Sequence, residues 1–551
     1  MHKTGRWSAA TTITAAALTA IHSVDRATLS AQPPRGSVRT QHNDRARTGV
    51  NDAETALTRD VVKSGRLSRF SLTVNGQTYA QPLYLPAVQI GARARNVVFV
   101  ATMHNNVYAF DVDDRSRIWA SNFGCKVPFD IARLYWEHLG FNVHDAVGIL
   151  GTPVIDDAGR FLYLVTRIDR NATGQSTDPD QDACRSGATP DVRYVLHKVD
   201  VTTGGDATTP RDIEAHFSPK TTLDPFLHLQ RPGLLLANGS VYVAFGGYQD
   251  TPPWHGWVFR FNADDLAQQA TFSVTPTGSA GGIWQAGSGL AADSAGNIYF
   301  MSGNGTTAPD RNPPNLGTAF AELSPNLDLR HYYVPRNHGW LNLFDLDLGS
   351  SGPVVLPDGG IVGGGKEGKL YLLGQPPDAN ERRFALHASV QVTPRFGFPF
   401  IPPFSARHIH GAPVVWNQTV DRARIFIWGE RDYLKRYTYI HTPTSGEVVE
   451  RATSNLRAPN KGMPGGILSL TVSGQQADTA VLWASMPLNE DAFVADVPGV
   501  LRAVDPDTLQ ELWNNESEER YLFAKYCPPT VVDGRVFLAT FSNRLDVYSV
   551  R

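Results

Sequence analysis

Cysteine is scarce: Cys125, Cys184 and Cys527 are the only three in 551 residues. No CxxC or CxxCH pair occurs, which excludes zinc-ribbon sites and covalently attached haem c. An excess of one charge is also missing. Lys and Arg total 50 against 53 Asp and Glu, for a formal net charge of −3, and no long run of either sign occurs. A nucleic-acid groove or a strongly charged membrane face is therefore not expected. Long apolar runs are lacking too. The longest, Ser8 to Ile21, is rich in Thr and Ala and shorter than the ~20 residues a transmembrane helix needs. Preceded by Lys3 and Arg6, it reads as a secretory leader over 1–31, with export to a periplasmic or extracellular compartment expected. For an exported chain, three cysteines suggest one disulfide and one free thiol.

What the chain does have is 49 glycines, 37 prolines and 10% aromatics, a composition of many short strands and turns. One pattern recurs. A short apolar strand, a turn or loop, and a second strand often ending in Asp, Asn or Ser appear as NVVFVAT with NVYAFD (96–111) and SVYVAFG with WVFRFN (240–262). The series ends with RVFLATF and RLDVYSV (535–550), the eighth such pair. A further apolar strand starting at Gly or Pro precedes each pair, as in QPLYLP (81–86), RPGLLL (231–236), GPVVLP (352–357) and PPTVV (528–532). Several pairs are followed by a fourth stretch such as RSRIWAS (115–121). Eight repeats of four strands predict an all-β, eight-bladed β-propeller over 65–551. The chain ends inside the third strand of the eighth unit, so SRFSLTV (68–74) is expected to complete that blade and remove its open edge. Residues 32–64 are an N-terminal extension.

GGGKEGK (363–369) fits the spacing of a phosphate-binding loop. LYLL follows it, however, where a phosphate loop must enter a helix; a hairpin turn of blade five is expected instead. Turns on one face of the propeller are short. The loops expected on the other are long: about 30 residues at 120–150, and 15 to 25 each at 167–191, 302–317, 330–350, 388–411 and 442–464. Such loops on a closed scaffold carry function. They hold His104, His144, His228, His255, His338, His408 and His410. Cys125 and Cys184 fall on this face of blade two and can pair; Cys527 reads as a buried small hydrophobe. Residues just ahead of the inner strands, among them Gln81, Arg231, Trp284, His410 and Met463, should ring the channel mouth. Arg231 offers a fork for carboxylates and Trp284 a stacking surface, which suits a planar, partly anionic ligand.

With NVYAFDVDDRSRIW (106–119), LRAVDPDTLQELW (501–513) and the eight units in hand, the chain resembles the pyrroloquinoline quinone (PQQ) dehydrogenase propellers. The resemblance implies a Ca²⁺-bound quinone oxidising a small-molecule alcohol or sugar, and a Trp of the Ala-x-Asp…Trp motif that docks one blade on the next. Within GGIWQAGSGLAADSAGNIYFMSGNG (281–305) it makes Trp284 the quinone-stacking residue and Asn304 a calcium ligand. It also makes Lys366 the quinone-contacting lysine and Asp250, in GGYQDTPPWHGWVFRF (246–261), the acidic calcium ligand. The family's vicinal cysteine pair is absent. Its catalytic Asp has no clear match in TTAPDRNPPNLGTAF (306–320), where Asp310 is the nearest acid; Asp345 and Asp347 of DLDLG are the alternative source. Two other functions remain open: a cofactor-free propeller serving as an envelope scaffold or a carbohydrate- or protein-binding module, and a transition-metal site built on His408-x-His410 with another imidazole.

Overall fold

The computed structural model describes residues 36–128, 143, 146–181, 183–219, 221–376, 381–393, 407–493 and 495–550. The expected leader at 1–31 and His144 lie outside the described residues. Eight sheets, each with four antiparallel strands in meander order, are arranged as the blades of a propeller. Seven are built from strands that follow one another along the chain, and the eighth is completed from the N-terminal side. Blade one is Leu83–Ile90, Arg93–Ala101, Asn106–Asp111 and Arg117–Asn122. Its third strand is buried at all six positions, because a blade is covered on both faces by its neighbours and needs no polar side. Val97 to Val100 of blade one pack with Leu162 and Leu164 of blade two and with Phe537 and Val547 of blade eight in one apolar cluster. Among the described residues, no helix is long and apolar enough to cross a membrane.

The ring closes as expected. Leu67–Thr73 pairs antiparallel with Arg544–Val550, from Leu67 opposite Val550 to Thr73 opposite Arg544, so an N-terminal strand completes blade eight. The two Trp motifs do dock blades. Trp119 Nε1 of blade one donates to Val201 O of blade two at 2.8 Å, and Trp513 of blade seven meets Tyr548 of blade eight edge-on at 5.3 Å. GGGKEGK is a hairpin: Ile361–Gly364 pairs with Lys369–Gly374.

Some of the expected long loops begin with structure. Ser445–Arg457 is the outer strand of blade six, and Leu329–Tyr333 and Ala385–Gln391 are those of blades four and five. Outer strands touch solvent, so they carry little apolar pattern; in Ser445–Arg457 only Ser454 is buried. A short helix, His338–Leu343, follows in blade four.

The N-terminal extension is the least anticipated element. Residues 38–51 cross the channel on the face opposite the long loops and bond the inner rim of each blade in turn. Val38 exchanges backbone hydrogen bonds with Tyr84 of blade one. The backbone N–H groups of Ile155, Ala292, Val355, Val415 and Leu470, in blades two, four, five, six and seven, donate to Arg39, Arg45, Ala46, Thr48 and Gly49. Arg47 Nη2 reaches Leu234 O in blade three at 2.9 Å, and Asn51 Nδ2 reaches Val531 O in blade eight at 2.8 Å. Arg47 is fully buried, and its other nitrogens bond Leu290 O, Thr40 Oγ1 and Gln41 O. The channel thereby becomes a blind pocket with a polar floor.

Candidate functional site

At the mouth of that pocket a cavity of about 140 Å³ is lined by Arg231, Asp250, Trp284, Asp345, Asp347, Lys366 and others. Six of the eight sequence candidates thus meet in one place. Each arrives on a loop that enters an inner strand or joins a blade's second strand to its third, so the blade repeat itself converges them.

Lys366 is the centre. Its Nζ lies 2.7 Å from Asp347 Oδ2 and 2.9 Å from Asp345 Oδ2. Burial alone would lower its pKa, but Asp347 and Asp345 outweigh it and hold the ammonium charged. Asp347 also accepts the backbone N–H of Asn304 at 2.8 Å. The Asn304 side chain donates to Asp345 Oδ1 at 2.9 Å, while its own Oδ1 is buried without a hydrogen-bond partner. Asp250 lines the cavity and is open to solvent at its surface. Partial desolvation in the cavity wall, with Asp347 and Asp345 nearby, pushes its pKa upward, Lys366 opposing; a raised carboxyl beside a cavity is a mark of functional acids.

The remaining wall suits a flat anion. Trp284 stands edge-on to Trp254 at 5.4 Å. The Arg231 guanidinium lies 4.6 Å over the Tyr526 ring, and its Nη2 is buried without a partner. Gly303 is obligatory at this junction, because a Cβ there would sit 2.5 Å from Asp347 Oδ1 and 2.8 Å from Trp284 Cδ1. Gln249, Asp250, Gln285, Asp345 and Tyr526 all hold positive φ without being glycine. Backbone strain of this kind concentrates at functional sites.

Asp310 lies apart, exposed and ion-paired with Arg383 at 2.8 Å; of the three candidate bases, Asp345 and Asp347 line the cavity. Cys125 and Cys184 form a disulfide. Cys527 is buried, and burial pushes its thiol up, so it is no nucleophile at neutral pH. His228 and His255 serve the core: the backbone N–H of His255 donates to His228 Nε2 at 3.0 Å, and His255 Nδ1 meets Thr275 Oγ1.

Glu430 escaped the sequence reading. Among the described residues, His408 and His410 come together with this carboxylate and not with a third imidazole, and His410 lines the same cavity. The signal was in the repeat. YFMSGN (299–304), IVGGGK (361–366) and IFIWGE (425–430) occupy the same phase of blades four, five and six. Each brings the residue after its last glycine to the cavity or against a residue that lines it: Lys366 lines it, Asn304 bonds Asp345 and Asp347, and Glu430 meets His410.

Asp250, Asp345, Asp347 and the orphaned Asn304 Oδ1 are oxygen donors of the kind calcium takes. Lys366 already pairs with Asp345 and Asp347, and among the described residues these three carboxylates are not drawn within ligand distance of one another as His408, His410 and Glu430 are. The Trp284, Arg231 and Lys366 set fits a planar ligand bearing carboxylates. The cavity is smaller than the ~300–1,000 Å³ of sites that bury a whole ligand, so a fused-ring cofactor entering it has to displace lining side chains.

No family model matches the sequence, and no curated protein does. Solved structures do match. Quinohemoprotein alcohol dehydrogenase from Comamonas testosteroni is 13% identical, covering 94% of this chain and 81% of that one with a TM-score of 0.57. The quinohemoprotein alcohol dehydrogenase ADHIIG from Pseudomonas putida HK5 is 12% identical over 94% and 80%, TM-score 0.52. A europium-containing methanol dehydrogenase is 11% identical over 95% and 99%, TM-score 0.55. At such identities the likeness is one of architecture: the chain has the β-propeller fold of these quinoprotein alcohol dehydrogenases.

Proposed function

We propose that this chain is an exported quinoprotein-type oxidoreductase that oxidises an alcohol or sugar with PQQ and Ca²⁺ at the looped face. The observation that carries the reading is the Asp345–Lys366–Asp347 cluster, set beside the unpartnered Asn304 Oδ1 and the Trp284 ring. Asp250, Asn304 and one acid of the Asp345/Asp347 pair would hold the calcium. Arg231 and Lys366 would take carboxylate or carbonyl oxygens of the quinone, and Trp284 would lie against its ring. When bound, the quinone accepts the two electrons and hydrogen of the substrate C–H bond. Asp347 is the base: its carboxylate, held by the Asn304 N–H and Lys366, is placed to receive the substrate hydroxyl proton. The Arg47 floor closes the channel behind the site and limits water to one entrance. The Cys125–Cys184 disulfide supports an oxidising compartment, consistent with the leader-like 1–31.

The experiment is dye-linked oxidation across an alcohol and sugar panel. Turnover is expected only with both PQQ and Ca²⁺, and Asp347→Asn should lose it by ~10²-fold or more while still binding PQQ. No turnover with any substrate, together with no PQQ binding, would return the chain to a cofactor-free propeller.

A further inference from the structure

A second constellation lies on the blade-six side of the same mouth. One ligand atom from each of His408, His410 and Glu430 can be chosen so that all three lie within 4.8 Å of one another. The three side chains lie close together without a hydrogen bond between them. His410 Nε2 is 2.8 Å from Glu430 Oε1, yet neither atom has a hydrogen-bond partner in usable geometry. His408 Nδ1 is 3.8 Å from Glu430 Oε2, and His408 Nε2 is also buried and unpartnered. His410 and Glu430 side chains are each only 4% exposed. Three unsatisfied polar atoms in one cluster of side chains are costly to bury. A shared cation would satisfy them together.

The geometry of the backbone holds the set in place. The Glu430 N–H donates to His408 O at 2.9 Å, which ties the two ligand-bearing segments together, and Ser350 Oγ donates to Ile409 O at 2.7 Å between the two histidines. The nearest cation of the other cluster, Lys366, is already neutralised by Asp345 and Asp347.

We propose that His408, His410 and Glu430 form a binding site for one divalent first-row transition-metal ion, separate from the all-oxygen set around Asn304. Two imidazoles and one carboxylate select zinc, cobalt, copper or iron over calcium, which prefers oxygen ligands. His410 lies on the cavity wall, so the ion would sit beside the cavity. The proposal does not rest on the quinone reading.

The test uses the full mature chain, stripped with chelator and titrated with Co²⁺ while its visible ligand-field bands are followed. One equivalent is expected to bind, to be displaced by Zn²⁺, and to be untouched by millimolar Ca²⁺. Glu430→Gln, which preserves shape, and His410→Ala should each weaken Co²⁺ binding at least tenfold, with folding checked by thermal melting. Should a variant fail to fold, the zinc X-ray absorption spectrum of the wild-type protein decides, and two imidazole nitrogens are expected. Absence of stoichiometric binding, folded variants that bind Co²⁺ like wild type, or a zinc shell with fewer than two imidazoles would overturn the proposal.

Discussion

Replacing Arg47 with methionine should loosen the floor of the channel without unfolding the propeller. Arg47 is completely buried and bonds Leu290 O, Thr40 Oγ1, Gln41 O and Leu234 O at 2.6–2.9 Å. Its burial is expensive: desolvation pulls its pKa down to about 9. Methionine retains much of the volume but leaves those acceptors unpaired. Leaving a buried acceptor unpaired costs roughly 1–3 kcal/mol, and for four of them, less the relief of the guanidinium's desolvation, the net is roughly 3–5 kcal/mol. Because the segment is held by the blades' inner rims and not by their cores, that cost falls on local opening of 38–51. The assay is native-state hydrogen exchange at the amides of Ile155, Ala292, Val355, Val415 and Leu470, which donate to the segment. At ~1.4 kcal/mol per tenfold, they should exchange on the order of 10²–10³ faster. Mid-blade amides such as those of Val107 to Phe110 should keep their protection. If the five rim amides stayed within threefold of wild type, the floor would not depend on Arg47 and the reasoning would fail.

Other consequences follow from the same structure. Gly303→Ala should push Asp347 and Trp284 apart and cost about tenfold or more in PQQ affinity with the melting temperature little changed, read by parallel titration and melting. His42 and His228 are each buried with pKa values lowered to about 4 by desolvation. Unfolded, each would titrate near 6.5 and bind the proton first. Their contribution is therefore complete above pH ~6.5 and lost as pH falls towards 4, so stability should drop by about 2 kcal/mol per histidine between pH 6.5 and 5; denaturant midpoints across that range check it. Reducing Cys125–Cys184, which are 59 residues apart, should cost about 4 kcal/mol on the chain-entropy account, seen as a lower denaturant midpoint in reductant.

The propeller was legible because it is written eight times. Every blade needs two or three apolar strands covered on both faces, and NVYAFD or SVYVAFG shows that directly. Outer strands were harder to read, since Ser445–Arg457 faces solvent and its alternation is polar. The channel-mouth candidates were legible from blade phase: Arg231 and Trp284 sit just ahead of inner strands, and Lys366 on the turn after a second strand. Choosing among Asp310, Asp345 and Asp347 was not possible from spacing, because loops of different length can reach the same point. Only the fold shows Asp310 turned out to Arg383 and Asp347 turned in to Lys366. Residues 38–51 give no sequence signal at all. VRTQHNDRARTGVN is polar and aperiodic, and besides local bonds such as Arg47 to Thr40 its order comes from partners up to 480 positions away, as Asn51 with Val531 shows.

The central claim is that the Lys366 cluster, Asn304 and Trp284 together form a quinone and calcium site. Equilibrium titration of the mature chain with PQQ, with and without Ca²⁺, followed by tryptophan quenching, tests it most directly. The account predicts saturable binding at one site that requires Ca²⁺ and weakens in both Trp284→Ala and Asn304→Ala. No saturable quenching at micromolar PQQ in the presence of Ca²⁺ would contradict it.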